Sequence, residues 1–459
     1  MSTRRLSMAS TAQSEADEEF QAKLVAAASA AQANPDKAAS DIQALVSQEY
    51  RNRLTMAAEE GDVEAQVSLA QMYIAGAPEF GFTMDEDKAL FWCQKAAEAN
   101  NAEALYLLAR FYESGFGVRK DEDEAVKIYY RAADCGSADA QYMLGQMLEM
   151  GDPHVLKDES KAVHYYSLAA DQAHSDAAYR LSVCYKKGKG VHADEDEALK
   201  WSHRAAVTGN LDACYSMGIT TISSSAGDWQ TLQRGMLWLE RAADRGHTDA
   251  FDMLQTTYST VSKTQSDRMK TLRPLAEQGD SKAQLELGRL YKTGMKDPDS
   301  AADVSKKCAM LFYQSATQSS SEGEYELARM YDFGVGDVSK HLFKAACWYI
   351  DSARQGNNVF AILALADLFQ KGGTADSHGH QFPKDPEKVA LLRASAIAVL
   401  DGEKTTLPNL DLPIDVERFL EGEKSDAKQR FSRQEARKNA ANDTSSLKKE
   451  VSSSLWCCF

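Results

Sequence analysis

The feature that most constrains this chain is an internal repeat. The segment Ala140-Gln-Tyr-Met-Leu-Gly returns as Ala65-Gln-Val-Ser-Leu-Ala, Ala104-Leu-Tyr-Leu-Leu-Ala, Ala177-Ala-Tyr-Arg-Leu-Ser and Ala213-Cys-Tyr-Ser-Met-Gly, with further copies from Ala250, Ala283, Gly323 and Ala361. The copies recur at a mean spacing of 37 residues. A period of this size marks one supersecondary element per unit. Such an element is too small to bury its apolar side alone, so stacked neighbours must share a core. Length alone would have suggested about three globular domains, and the repeat overrides that.

Each unit reads as two helices. In the first, Ala65, Leu69, Ala70 and Tyr73 fall on one helical face. A second signature follows each leading segment: Ala96-Ala97, Ala132-Ala133, Ala169-Ala170, Ala205-Ala206 and Ala242-Ala243, with variants Leu275-Ala276, Ser315-Ala316, Ser352-Ala353 and Ser395-Ala396. Small residues there let paired helices approach closely. Between the signatures lies a Gly-x-Gly-Val connector, clearest at Gly115-Phe116-Gly117-Val118 and Gly188-Lys189-Gly190-Val191. Glycine tolerates the positive φ needed to end a helix and turn. The second helices open on acids (Asp85, Asp121, Asp194), which cap the helix and suit the positive end of its dipole.

The combined pattern Ala-x-Tyr-x-Leu-Gly, Gly-x-Gly-Val, Asp-x-x-x-Ala and Ala-Ala-x-x-Gly resembles the Sel-1-like repeat family, a relative of tetratricopeptide repeats. The resemblance covers residues 61–398 in nine copies. It implies an all-α, right-handed α-solenoid of about nine helix-turn-helix repeats that scaffolds other proteins, and it implies no chemistry. Copies five and six, residues 210–279, depart from the pattern. They lack the glycine connector and carry Ser- and Thr-rich links at Thr220–Ser225 and Ser259–Ser266, where a bend or looser packing is expected.

The ends differ from the repeats. Residues 1–60 read as a helical N-terminal cap behind a disordered start, divided by the turn Asn34-Pro35-Asp36. Residues 399–459 read as a linker with Pro408 and Pro413, a short helix near Val416–Leu420, and a flexible tail. Lys424–Lys449 holds eight Lys or Arg against three Asp or Glu, whereas the whole chain is acidic, with a net charge of −16. That acidity argues against nucleic acid as a partner. The N-terminal residues lack an apolar run of the secretory type. Six separate cysteines and a Cys457-Cys458 pair then read as thiols in a reducing, cytoplasmic setting.

No catalytic, metal or cofactor site is expected. Nucleophile elbows, His-Glu-x-x-His and Gly-Lys-Ser/Thr loops are missing from the sequence. Gly188-Lys189-Gly190 serves better as a repeat connector than as a phosphate cradle. His378 and His380 sit in an insertion, residues 372–383, without further ligands at zinc spacing. Cys93 and Cys347 occupy core-like positions, where cysteine packs as a small hydrophobe.

The interaction candidates are Tyr106, Tyr142, Tyr179, Tyr215 and Tyr325, each two positions after a leading Ala or Gly. At about 100° per residue this position lies roughly 200° round the helix, away from its own repeat's core. The tyrosines must therefore pack on the next repeat or line a groove. Beside them, four positions on, stand Gln71, Arg110, Gln146, Arg289 and Arg329. Tyr and Arg are enriched at binding hot spots, so this ladder suits a protein or peptide partner.

Two modification sites complete the reading. Arg4-Arg5-Leu6-Ser7 matches a basophilic kinase site at Ser7. Cys457 and Cys458 lie where packing gives them no reason to be, and two lipid groups would anchor stably where one does not. Phosphorylation at Ser425 or Ser432 would weaken such an attachment. The leading function is a non-enzymatic cytoplasmic scaffold or adaptor. The alternative is a membrane-recruited regulator of an enzyme, tethered to the cytoplasmic face by its lipidated tail. Its plan is similar to that of fungal activators of chitin synthase.

Overall fold

The computed structural model describes residues 35–151, 153–293, 304–335, 338–356, 358–373, 382–402, 406–408, 410 and 416–425. Ser7, His378, His380, Cys457 and Cys458 lie outside them. Among the described residues the chain is helical, with no strand.

A long helix, α1 (Pro35–Glu60), precedes a run of helix pairs. They are α2 (Val63–Ala75) with α3 (Glu86–Glu98), α4 (Ala102–Ser114) with α5 (Glu122–Asp134), α6 (Ala138–Met150) with α7 (Glu159–Asp171), and α8 (Ser175–Lys187) with α9 (Glu195–Thr208). The run continues with α10 (Leu211–Ser224) and α11 (Trp229–Asp244), α12 (Thr248–Thr264) and α13 (Ser266–Glu277), α14 (Ser281–Lys292) and α15 (Val304–Thr317). It ends with α16 (Ser321–Phe333) and α17 (Leu342–Gly356), then α18 (Val359–Lys371) and α19 (Pro386–Leu400). A further short helix, α20, covers residues 416–425. The nine helix pairs are those that the repeat predicts, and the fold is a helical-repeat solenoid.

Local chemistry sets these boundaries. Asp85, Asp121, Asp158 and Asp385 each accept a hydrogen bond from a backbone N–H in the first turn of their second helix. The first helices are capped by Asp62, Asn101, Ser137, Asn210 and Asp280, and by two histidines, His174 and His247, acting through Nδ1. Gly115 and Gly188 end α4 and α8 in the left-handed conformation. The second glycine of the connector has a separate reason. A Cβ on Gly190 would stand 2.2 Å from the carbonyl oxygen of Glu159, one repeat earlier, so only glycine lets the connector pass.

The chain divides into two compact units, Met1–Trp201 and Ser202–Phe459. In the first, α1 packs on the opening repeat. Ala58 is buried and its carbonyl accepts from Gln66 Nε2 at 3.0 Å, while the Tyr50 and Phe80 rings lie 5.0 Å apart. Small residues line the seams: Ala96, Ala97, Ala104, Ala109, Ala132, Ala133 and Ala140 surround Leu105, Tyr129 and Leu144.

In the second unit the departing copies extend their helices instead of forming polar loops. α10 runs through the Ser- and Thr-rich link to Ser224 and α12 to Thr264. Their hydroxyls bond back to carbonyls of the preceding turn, as Thr220 does to Ser216 and Thr260 to Thr256. The looser packing lies between α12 and α13, which scarcely touch. The Ser-Ala variants also have a structural cause. Ser321 Oγ donates to the Ser352 carbonyl at 2.9 Å and Ser352 Oγ donates back to the Ser321 carbonyl at 2.6 Å. Ser315 likewise donates to the Ser281 carbonyl at 2.9 Å.

Candidate protein-interaction face

The tyrosine ladder follows from the repeat, and its surroundings differ between the two units. In the first unit Tyr106, Tyr142 and Tyr179 are half-buried, while Arg110 and Arg180 are exposed. The Tyr142 ring stacks on His174, the cap of the next repeat, with centroids 4.6 Å apart and planes 28° from parallel. Its hydroxyl accepts from Gln146 Nε2 at 2.7 Å and from the Arg180 guanidinium. The ladder therefore tiles one repeat onto the next, with Arg180 locked across the seam. The helical wheel pointed these rings away from their own repeat. The structure corrects that in part: Tyr106 and Tyr142 also reach their own second helix, at 6.1 Å from Tyr129 and 6.0 Å from Tyr166. A phenol ring is long enough to touch both neighbours.

Beneath the ladder the second and third repeats each hold a tyrosine–carboxylate bond. Tyr129 Oη donates to Glu113 at 2.7 Å and Tyr166 Oη donates to Glu149 at 2.9 Å. Burial pushes both phenols well up, and the adjoining carboxylates push them further. At the rim Gln71 Nε2 donates to Glu103 across to the next repeat.

In the second unit Tyr215 repeats the arrangement, stacking on His247 at 4.9 Å and 25°. The remaining candidates are turned to another use. Tyr325 is 5 % exposed and lies 6.2 Å from Phe360. Arg289, 6 % exposed, donates to Glu326 at 3.0 Å, to Glu322 at 2.7 Å and to Gln233 at 2.9 Å. Arg329 pairs with Glu240 and Asp244. Lys292 joins the cluster, 2.8 Å from Glu240 and 2.9 Å from Glu326. Tyr258 Oη also donates to Glu240.

This network fills the first-helix face with α11. The same helix reaches α18, where Arg241 pairs with Asp367 at 2.7 Å and Trp238 meets Phe360 edge-on at 4.9 Å. Burial alone would raise the Glu240 carboxyl, but Lys292 and Arg329 outweigh it and hold it down to about 2. Burial would raise Glu326 as well, but Lys292 and Arg289 hold its carboxyl below the usual carboxylate range. No local motif could have found this cluster, because Arg329 and Glu240 are 89 residues apart.

The cysteines sit in the helix pairs as thiols. Cys93, Cys184, Cys214, Cys308 and Cys347 are buried and Cys135 is exposed. Burial pushes Cys93, Cys308 and Cys347 up to about 12 and Cys184 to about 11. Among the described residues no group of three or more His, Cys, Asp or Glu is placed to hold a metal ion, and no helix is long and apolar enough to cross a membrane.

Comparison with known proteins gives these observations a setting. The profile of the Sel1 repeat matches residues 63–101, 102–137, 138–174, 175–206, 212–247, 281–320 and 321–357, more than half of the chain. The unmatched pairs are α12–α13 and α18–α19, the first being the pair with scant mutual packing. Among solved structures, a protective antigen of uropathogenic Escherichia coli strains with an SLR fold is 29 % identical, over 76 % of this chain and 71 % of its own, with a TM-score of 0.41. A Sel1 repeat protein from Oxalobacter formigenes is 27 % identical, over 46 % of this chain and 86 % of its own, with a TM-score of 0.41. Cysteine-rich protein B of Helicobacter pylori is 28 % identical, over 27 % of this chain and 92 % of its own, with a TM-score of 0.23. Among curated protein sequences, none is significantly similar to the chain.

Proposed function

Because the chain belongs to the Sel1 repeat family, a generally non-catalytic fold whose members generally bind proteins, we propose that it is a scaffold whose partner-binding face is the tyrosine ladder of the first unit. One contrast carries this reading. Equivalent positions are half-open in the first unit and at Tyr215, and are filled from within at Arg289, Tyr325 and Arg329. Tyr106, Tyr142 and Tyr179, flanked by exposed Arg110, offer aromatic surface with a charged donor beside it. Such a face suits an extended peptide bearing carboxylates. Arg289 and Arg329 are engaged by α11, Tyr325 is buried against Phe360, and none of them takes part.

A photo-crosslinking residue placed at Arg110 or Tyr179 tests the proposal. Both positions are expected to capture the same partner, and a probe at exposed Lys127, on the second helix α5, is expected to capture none. Equal capture at all three positions, or capture only at Lys127, would remove the first-helix face as the site.

A second reading concerns location and rests on the sequence. Adjacent Cys457 and Cys458 beside a basic segment suit two thioester-linked acyl chains, which bind a membrane stably where one chain binds marginally. The scaffold would then work on a cytoplasmic membrane face. Hydroxylamine treatment is expected to release the chain from a membrane fraction, and a dominant unmodified mass for the peptide holding both cysteines would end this reading.

A further inference from the structure

Helix α20 lies against α15 and α17 in the second unit. Tyr313 Oη donates to the Glu423 carbonyl at 3.2 Å, Lys344 stands 3.3 Å from the Glu423 carboxylate, and Leu420 is buried. The contact centres on Lys424. Its ammonium stands 2.6 Å from Asp351 and 3.5 Å from Glu324, over the ring of Trp348 at 5.9 Å. Glu324 and Trp348 are fully buried. Burial and the neighbouring Asp351 keep the Glu324 carboxyl protonated, so Asp351 supplies the charge that Lys424 meets and Glu324 lines the socket as a neutral acceptor beside it.

Two physical facts follow. A helix as short as α20 is unstable alone, since isolated helices below about 12–15 residues are marginal in water. It exists because it is docked, through buried Leu420 and the polar contacts of Glu423 and Lys424. An aromatic face with a carboxylate at hydrogen-bond distance is also the chemistry that recognises an ammonium group. Lys424 approaches from the last turn of α20, where a cation complements the helix dipole. Loss of this one side chain removes both the ion pair and that complement.

We propose that Trp348, Asp351 and Glu324 form a lysine-binding socket, filled in cis by Lys424, and that α20 is a strap which a lysine-bearing amphipathic helix of a protein partner displaces. Binding and strap release are then one event, an order-to-disorder change of the kind that couples a site to a distant segment. A negative charge at exposed Ser425, next in sequence to Lys424, would favour the released state by competing with Asp351 for the Lys424 ammonium.

The test uses the full-length chain and hydrogen exchange followed by mass spectrometry. Wild-type residues 416–425 are expected to be protected. Lys424→Ala is expected to lower that protection by about tenfold or more while α15 and α17 keep theirs. Glu417→Ala, at the rim, is expected to change little. A fluorescent peptide with the sequence of residues 414–427 is then expected to bind the Lys424→Ala chain and to lose binding when Asp351→Asn is added. Unchanged protection in Lys424→Ala, no protection in the wild type, or peptide binding indifferent to Asp351→Asn would each overturn the socket. Should Asp351→Asn unfold the unit, Trp348→Phe serves in its place, with peptide binding expected to weaken.

Discussion

Gly145 stands directly against Tyr166: a Cβ built on Gly145 would lie 2.5 Å from Tyr166 Cε1. Gly288 meets Phe312 in the same way, at 2.7 Å. Whether a repeat can carry a large aromatic residue on its second helix is decided by the smallest residue on its first. Replacing Gly145 by Val should therefore destabilise the first unit by about 1–3 kcal/mol through overpacking. Tyr166→Leu in the same chain should recover part of the loss. Urea unfolding followed by circular dichroism checks both, and a neutral Gly145→Val would show that the helices move apart freely.

The buried ion network should be far more sensitive than the exposed ladder. Arg329→Ala withdraws a cation from Glu240 and Asp244 while Glu240 stays buried, a type of change that costs about 3–5 kcal/mol. Arg110→Ala, at the corresponding exposed position of the first unit, should stay within about 0.5 kcal/mol. Equal effects on the urea midpoint would contradict the different burial of the two positions.

Stability should fall on both sides of neutrality for different reasons. Glu240 is held down to about 2, below its ordinary value of 4.5, so its contribution is present above that value and lost as pH falls through about 2. Glu324 is pushed the other way, to about 9, by burial and by Asp351. It keeps its proton in the folded chain, so its contribution is present below 4.5 and lost as pH rises through about 9. Glu324→Gln, which cannot ionise, should flatten the fall in stability between pH 4.5 and about 9 and leave the fall below 4.5 unchanged. An unaltered slope between the two values would place the titration elsewhere.

Thiol reactivity should separate the cysteines sharply. In a chain carrying Cys457→Ser and Cys458→Ser, a disulfide reagent should modify Cys135 quickly and the five buried thiols only on unfolding. Fast reaction of Cys93 or Cys347 under native conditions would mean that the helix pairs open readily.

The repeat made the helix pairs legible because it repeats the same local rules: an acid or amide cap, a small residue at the seam, a glycine at the turn. Asp121, Gly190 and the Ala-Ala pairs all do in the structure what their types suggest. The ladder was legible only in position. A helical wheel places Tyr325 and Tyr142 identically, yet one is buried and the other half-open, because Phe360, which α11 meets through Trp238, lies against Tyr325. Glu240 and Arg241 look like ordinary residues before an Ala-Ala pair, and their partners lie 89 and 126 residues further on. Likewise Lys424 reads as the first charge of a basic tail, and its docking on Asp351 has no local signature.

The position of α11 has a consequence for how the two units come apart. A linear array touches only its neighbours, so it can fray from an end and its stability grows roughly in proportion to repeat number. The first unit is built on that plan. In the second, α14, α16 and α18 all grip α11, with Arg241 bridging 126 residues to Asp367. Contacts so distant in sequence must be closed before they yield anything, which slows folding and ties the helices into one transition. The first unit should melt piecemeal and the second all at once. Insertion or deletion of a whole repeat, which a one-dimensional array absorbs, would in the second unit move every later grip on α11 out of register.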